Sequence, residues 1–262
     1  MIARVRSFDI RSVLMGSIGF VVLFVCWYLL TTVSQVISPI RFPAPSNVYQ
    51  SFAQLMSTGY ADATLGTHIA YSLRIVVLGY VASVLTGIPL GIVMGLSRRA
   101  EGIINPVFQL LRPIPPLAWI PLSILWFGLG PTSEVFVIWL AAFAPLVINT
   151  YAGVRLVDPT LIAAARVHGA KTTRLIADVI VPGALPMIFT GLRLSVQVCW
   201  MALVAAELVG STAGLGHIMI YAERDLNSGM IAAGMISVTV LGVMLTFGVS
   251  MLEKAMMPWR RP

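Results

Sequence analysis

Side chains able to do chemistry are sparse in this chain of 262 residues, which carries ten Asp and Glu, three His and two Cys. The run Gly169-Ala170-Lys171-Thr172-Thr173 has the look of a phosphate-binding loop. That pattern, G-x-x-x-x-G-K-[ST], needs glycines where this chain has Ala165 and Ala170, and a strand before it. With Lys254 as the other lysine, neither an ATP site nor a cofactor site is expected here. His68, His168 and His217 fall in three separate stretches, too scattered for the convergent ligands of a metal centre. Cys26 and Cys199 lie inside apolar runs and read as small packing residues rather than a disulfide. Glu207 is different, an acid in an apolar run followed by Gly210, Gly214 and Gly216. A charge in such a place is costly and marks a functional position by default. It can gate a mouth, or it can cap or pair with the backbone of the glycine-rich loop, and both readings stand. No catalytic cluster remains, so an enzyme is not expected.

The elements that must carry these residues follow from composition. Apolar residues make up 58 % of the chain and charged residues 10 %, against roughly 45–50 % and about 25 % in soluble domains. Ser12–Ile40, Ile75–Ser97, Pro113–Ser133, Val135–Val154 and Leu226–Leu252 hold no Asp, Glu, Lys or Arg, and a helix needs about 20 apolar residues to cross a bilayer. A sixth run, between Val179 and Val209, is interrupted only by Arg193 and Glu207. The expected fold is an all-α integral membrane protein of one domain, with six helices near 13–36, 67–97, 103–130, 134–156, 179–209 and 228–252 and a loop over 157–178. A barrel would instead show strands of about ten alternating residues.

Six spans put both termini on one side. Arg4, Arg6, Arg11, Arg98, Arg99, Arg155, Arg166, Lys171, Arg174, Lys254, Arg260 and Arg261 then share one face, and Arg41 and Arg224 fall on the other. The excess of basic residues makes the first face cytoplasmic. The net charge of +7 therefore reflects topology and anionic lipid, and no nucleic acid is needed. The basic start MIARVRSFDIR could introduce a signal peptide, but the apolar run after it exceeds the roughly 7–15 residues of such a region and no A-x-A site closes it. Beyond it, Pro39, Pro43 and Pro45 predict an extended outer strap that leads into a short amphipathic helix.

Two stretches break the apolar pattern from within. RPIPPLAWIP, 112–121, has four prolines and so lacks several backbone donors. It belongs beside a transport pathway or against the 157–178 loop, unless the prolines merely kink the start of a helix. With Glu207, Gly214 and Gly216 as gate candidates, Trp119, Gln197 and Trp200 are candidates for lining the pathway. Arg74 and Arg193 read as snorkelling or packing residues that could also draw in an anion, and GIPLGIVMG at 87–95 reads as close helix packing. LIAAARVHGAKTTRLIADVIVP, 161–182, is the second stretch. Its apolar and basic residues suit a helix lying on the cytoplasmic surface, with Asp158 and Pro159 at its start and Gly169 at a sharp turn.

That second stretch resembles the coupling loop of ATP-binding-cassette importer permeases, E-A-A-x-x-x-G followed by nine residues and I-x-L-P. Here it reads Ala163-Ala164-Ala165, Gly169 and Val179-Ile180-Val181-Pro182, with every spacing kept. LRPIPPLAWIPLSILWFGLG, TYAGVRLVDP, VPGALPMIFTGLR and VAAELVGSTAGLG extend the resemblance along nearly the whole chain, to the nitrate, sulfonate and taurine branch. YADATLGTHIAYSLRIV and LRPIPPLAWIPL are similar to taurine permeases. The resemblance implies a type I importer permease fold in a bacterial inner membrane, working as a homodimer on two ATPase subunits that hold ATP and Mg, and fed by an extracytoplasmic binding protein. It implies that Ala163, Ala164, Ala165, His168, Gly169, Arg174 and Pro182 meet the ATPase. Ala163 stands where the motif has Glu, so an acidic contact is not implied. The cargo implied is taurine or another sulfonate, with nitrate, bicarbonate or an aromatic carboxylate as alternatives. An ion-coupled secondary transporter would need ion-coupling carboxylates or broken helices at mid-membrane, and the chain offers no clear acidic residue there.

Overall fold

The computed structural model describes residues 10–34, 38 and 40–258, and within them every regular element is a helix. Pro39, Arg4, Arg6, Arg260 and Arg261 lie outside the described residues. The helix α1 spans Ile10–Tyr28 and continues as a π-turn over Leu29–Val33. Its outward residues, Phe20 and Leu23 among them, are exposed, which suits a helix in contact with lipid. Beyond it, α2 (Pro45–Ser57) starts on Pro45 and buries Val48, Ser51 and Leu55. Trp27 Nε1 donates to the Pro43 carbonyl at 2.9 Å, tying the strap to the end of α1.

The body of the protein is built from α3 (Leu65–Leu96), α6 (Pro131–Arg155), α9 (Val181–Gly210) and α11 (Ser228–Met256). All four are long and apolar enough to cross a bilayer. A bent pair makes a fifth crossing if it is counted as one span: α4 (Arg98–Leu111) and the segment Pro116–Phe127, made of one 3-10 turn and α5 (Ile120–Phe127), meet at 83°. Pro113, Pro115 and Pro116 remove the donors that a continuous helix would need there. The first apolar helix, Ser17–Val33, is shorter than these spans.

Close approach of α3 and α6 explains the glycines of α3. A methyl group on Gly79 would lie 2.6 Å from Ile138 Cγ2, one on Gly91 2.7 Å from Thr150 Cβ, and one on Gly95 2.6 Å from Val154 Cβ. Small residues let membrane helices pack backbone to backbone where no hydrophobic drive separates them from lipid. Ser83 adds a hydrogen bond to the Trp139 carbonyl at 2.7 Å, and Ser195 on α9 reaches the Ala142 carbonyl at 2.9 Å. The core therefore runs α3, α6, α9 in sequence. One apolar cluster, with Ile75, Ile138, Leu203, Ile218 and Met230, fills one end, and a second, with Val154, Leu175, Ile180 and Ile188, fills the other.

Between α6 and α9 lie α7 (Pro159–Val167) and α8 (Thr172–Leu175), the latter running through a π-turn at Ile176–Ile180 into α9. Thr172–Gly210 is thereby one helical rod of 39 residues. After α9 the chain turns at Gly214 into α10 (Leu215–Arg224).

Candidate functional site

The 157–178 stretch forms a helix-turn-helix knob. Asp158 starts α7 by accepting the Thr160 N–H at 2.8 Å, and this bond holds its carboxyl below the usual carboxylate range. The Gly169 N–H closes the helix on the Arg166 carbonyl at 2.9 Å, and Gly169 turns the chain with φ +77°. Ile162 and Ala165 pack inward on Val157, Leu175 and Ile180. The opposite side is open: Ala163, Ala164, His168, Gly169 and Arg174 are exposed, as are Leu161 and Val167, the latter at 86 %. Pro182 opens α9 at the foot of the knob and is half-buried. Apolar side chains thus point away from the bundle core over much of this surface.

Behind the knob, Glu101 of α4 accepts hydrogen bonds from Tyr151 and from Arg155 of α6, the second at 2.8 Å. This polar clasp fixes α4 against the C-terminal end of α6. Arg193 pairs with Glu253 of α11 at 3.3 Å, so its charge is matched within the bundle.

At the far end of α9 the carboxylate of Glu207 is almost fully buried, 1 % exposed. Its Oε2 accepts the Gly216 N–H at 2.7 Å, and its Oε1 accepts the Ser72 hydroxyl at 2.5 Å. Ser72 Oγ in turn accepts the Leu215 N–H at 3.0 Å, and His68 Nδ1 accepts the Gly214 N–H at 3.0 Å. Three successive N–H groups at the start of α10, which a helix cannot satisfy itself, are therefore met by side chains of α3 and α9. Since Nδ1 of His68 accepts, Nε2 carries the proton and donates to the Tyr60 carbonyl at 2.9 Å. Gly214 sits at φ +121°, and a Cβ there would run into the Glu207 carboxylate. A Cβ on Gly216 would lie 2.6 Å from Glu207 Cβ.

Two of the three histidines meet at this end. His68 and His217 lie with ring centroids 6.3 Å apart, while His168 is on the knob. Burial, and then His68 beside it, hold the His217 imidazole below its usual range. Tyr60 donates to Asp225 at 2.5 Å, which fastens the other end of α10 to the outer loop. Glu134 of α6 is buried nearby and accepts the Tyr71 hydroxyl at 3.3 Å on Oε1. Sequence reasoning did not join His68, Ser72 and Glu134 to Glu207. The available signal was the spacing of His68 and Ser72, four apart on one face of an otherwise apolar helix.

The pathway candidates do not converge. Gln197 and Trp200 face a groove between α9 and α11 that also holds Thr239, Thr246 and Ser250, and Trp200 Nε1 donates to the Val238 carbonyl at 3.0 Å. Trp119 faces a different cavity, between the broken span, α6 and α9.

Comparison with known proteins agrees with this architecture. Residues 87–261 match the family described as binding-protein-dependent transport system inner membrane component. The chain is 42 % identical over 239 residues to the taurine transport system permease protein TauC of Escherichia coli (strain K12), covering 91 % of this chain and 86 % of that one. It is 37 % identical to the putative aliphatic sulfonates transport permease protein SsuC of Bacillus subtilis (strain 168), covering 86 % and 80 %. Its fold is similar to a chain of the MetNI methionine ABC transporter in an inward-facing conformation, with a TM-score of 0.64 at 18 % identity, covering 73 % of this chain and 95 % of that one.

Proposed function

The chain belongs to the family of binding-protein-dependent transport system inner membrane components, and from that premise we propose that this ABC importer permease moves a small anion or zwitterion inward, a sulfonate such as taurine foremost. The observation that carries the choice of cargo is the 42 % identity to a taurine permease over 91 % of the chain. Nitrate, bicarbonate and aromatic carboxylates are the alternatives.

In this reading the exposed knob around Leu161, Val167 and Gly169 docks on a partner ATPase, which binds ATP and Mg and hydrolyses the nucleotide. Its apolar contacts take the place of the acidic one that Ala163 cannot make. Two copies of the chain stand on two ATPase subunits, with both termini cytoplasmic, and an extracytoplasmic binding protein delivers the cargo near α10. Glu207 is the latch of the outer mouth, because it ties α10 to α3 and α9 through buried hydrogen bonds. The rod Thr172–Gly210 has the knob at one end and Glu207 near the other. A push on the knob is therefore carried to the latch by a single element, about 58 Å long at 1.5 Å per residue.

Uptake decides the reading. Cells lacking sulfonate import, given this permease with its ATPase and binding protein, should accumulate radiolabelled taurine or an alkanesulfonate only while ATP is present. Uptake that survives ATP depletion and collapses with the proton gradient would overturn it in favour of a secondary transporter.

A further inference from the structure

Glu207 and Glu134 stand at the same end of the bundle but are met differently by their surroundings. Both oxygens of Glu207 accept hydrogen bonds, from Ser72 and from the Gly216 N–H. Glu134 is 2 % exposed and accepts the Tyr71 hydroxyl on Oε1 at 3.3 Å, and its Oε2 is buried with no donor among the described residues. The Ser211 hydroxyl lies beside this carboxylate but donates to the Ala213 carbonyl. Leaving a buried acceptor bare is costly, and in folded proteins such groups are met by protein or by ordered water.

Glu134 lines a small cavity of about 10 Å³ together with Ser123, Ser133 and the apolar Ile120, Val137 and Ala206, which is room for one water molecule. The chemistry of the wall selects the occupant. The Ser123 hydroxyl donates to the Ile120 carbonyl at 2.7 Å, and the Ser133 hydroxyl donates to the Gly130 carbonyl at 2.8 Å. Each has committed its single proton, so the two hydroxyls and the carboxylate present only lone pairs to the cavity. An occupant must therefore donate. Glu134 also lies in the first turn of α6, where the helix dipole favours a negative charge and disfavours a cation. No group of His, Cys, Asp and Glu suited to a metal ion occurs among the described residues. A neutral donor of one heavy atom fits these conditions.

We propose that a resident water molecule occupies this cavity, donating one hydrogen bond to Glu134 Oε2 and the other to Ser123 Oγ, and so ties α5 to α6. Ser123 belongs to α5 and Glu134 to α6. Both arms of the bent pair are then fastened to α6 by polar contacts at its two ends. Glu101 of α4 holds Tyr151 and Arg155, and Ser123 of α5 holds Glu134 through the water. Tyr71 carries the second tie on to α3.

The test is an electron cryomicroscopy map of the permease with its ATPase, at a resolution that shows other buried waters. A peak is expected about 2.5–3.0 Å from both Glu134 Oε2 and Ser123 Oγ. No peak there would overturn the site, and so would a peak ringed by several oxygens at about 2.3–2.6 Å, which would mark a cation. Two variants give a second measurement. Ser123→Ala removes one partner but leaves room for the water, whereas Ser123→Val puts a methyl group in its place and strands Oε2. The thermal midpoint of the complex should fall further for Ser123→Val than for Ser123→Ala, by about 2–4 °C. In a Glu134→Ala background the two should match, because no carboxylate is left to strand. Equal midpoints with Glu134 present, or a difference that survives its removal, would overturn the site.

Discussion

Glu207→Gln tests the proposed latch most directly because it keeps the shape and replaces one acceptor oxygen with an NH₂ donor. In the unaltered chain the carboxylate accepts two hydrogen bonds, from Gly216 N–H and Ser72 Oγ–H. A glutamine can still accept the Gly216 N–H on its one oxygen. Its NH₂ group then faces Ser72, whose hydroxyl must turn away and accept instead, although it already accepts the Leu215 N–H. A hydrogen bond contributes about 1 kcal/mol net, and a buried group left without its partner costs about 1–3 kcal/mol. The variant should therefore weaken the hold on α10 by about 1–2 kcal/mol, or roughly five- to thirty-fold in the balance between held and released α10. The assay is ATP hydrolysis by the reconstituted transporter with and without loaded binding protein. Basal hydrolysis should rise within that range while the preference among cargoes stays unchanged. Unaltered basal hydrolysis together with a changed cargo profile would refute the latch and put Glu207 in contact with substrate.

The knob offers a second perturbation: Gly169→Arg meets no atom within 4 Å at Cβ but must adopt φ +77°, a strain of about 1–2 kcal/mol. The variant should fold with slightly lower thermal stability and lose co-purification of the ATPase, which Gly169→Ala, with the strain alone, should largely retain. Asp158 has a depressed carboxyl, so its contribution to α7 is present above the ordinary carboxylate range and fades as pH falls through its lowered value. Protection of 160–167 against hydrogen exchange, taken relative to the intrinsic rate at each pH, should be constant near neutrality and fall in acid, and Asp158→Asn should remove that dependence; an identical acid response in the variant would count against the cap. Native mass measurement of the purified complex should find two copies of this chain, and a single copy would contradict the shared pathway.

Much of the frame was legible in the sequence because its signals are local. Length and hydropathy mark the long helices, three prolines between 113 and 116 mark the break, and Asp158-Pro159 marks a helix start. The helical bounds differ from the sequence expectation where the apolar pattern says nothing about backbone. The apolar run continues from Pro113 through Ser133, yet it holds a 3-10 turn, a short helix and a loop before α6 begins at Pro131. The latch was half legible. Glu207 and the glycines stand out within a dozen residues, but His68 and Ser72 come from more than a hundred residues away and depend on how α3 packs on α9. Nothing in the segment of His68 announces the Gly214 N–H that it accepts.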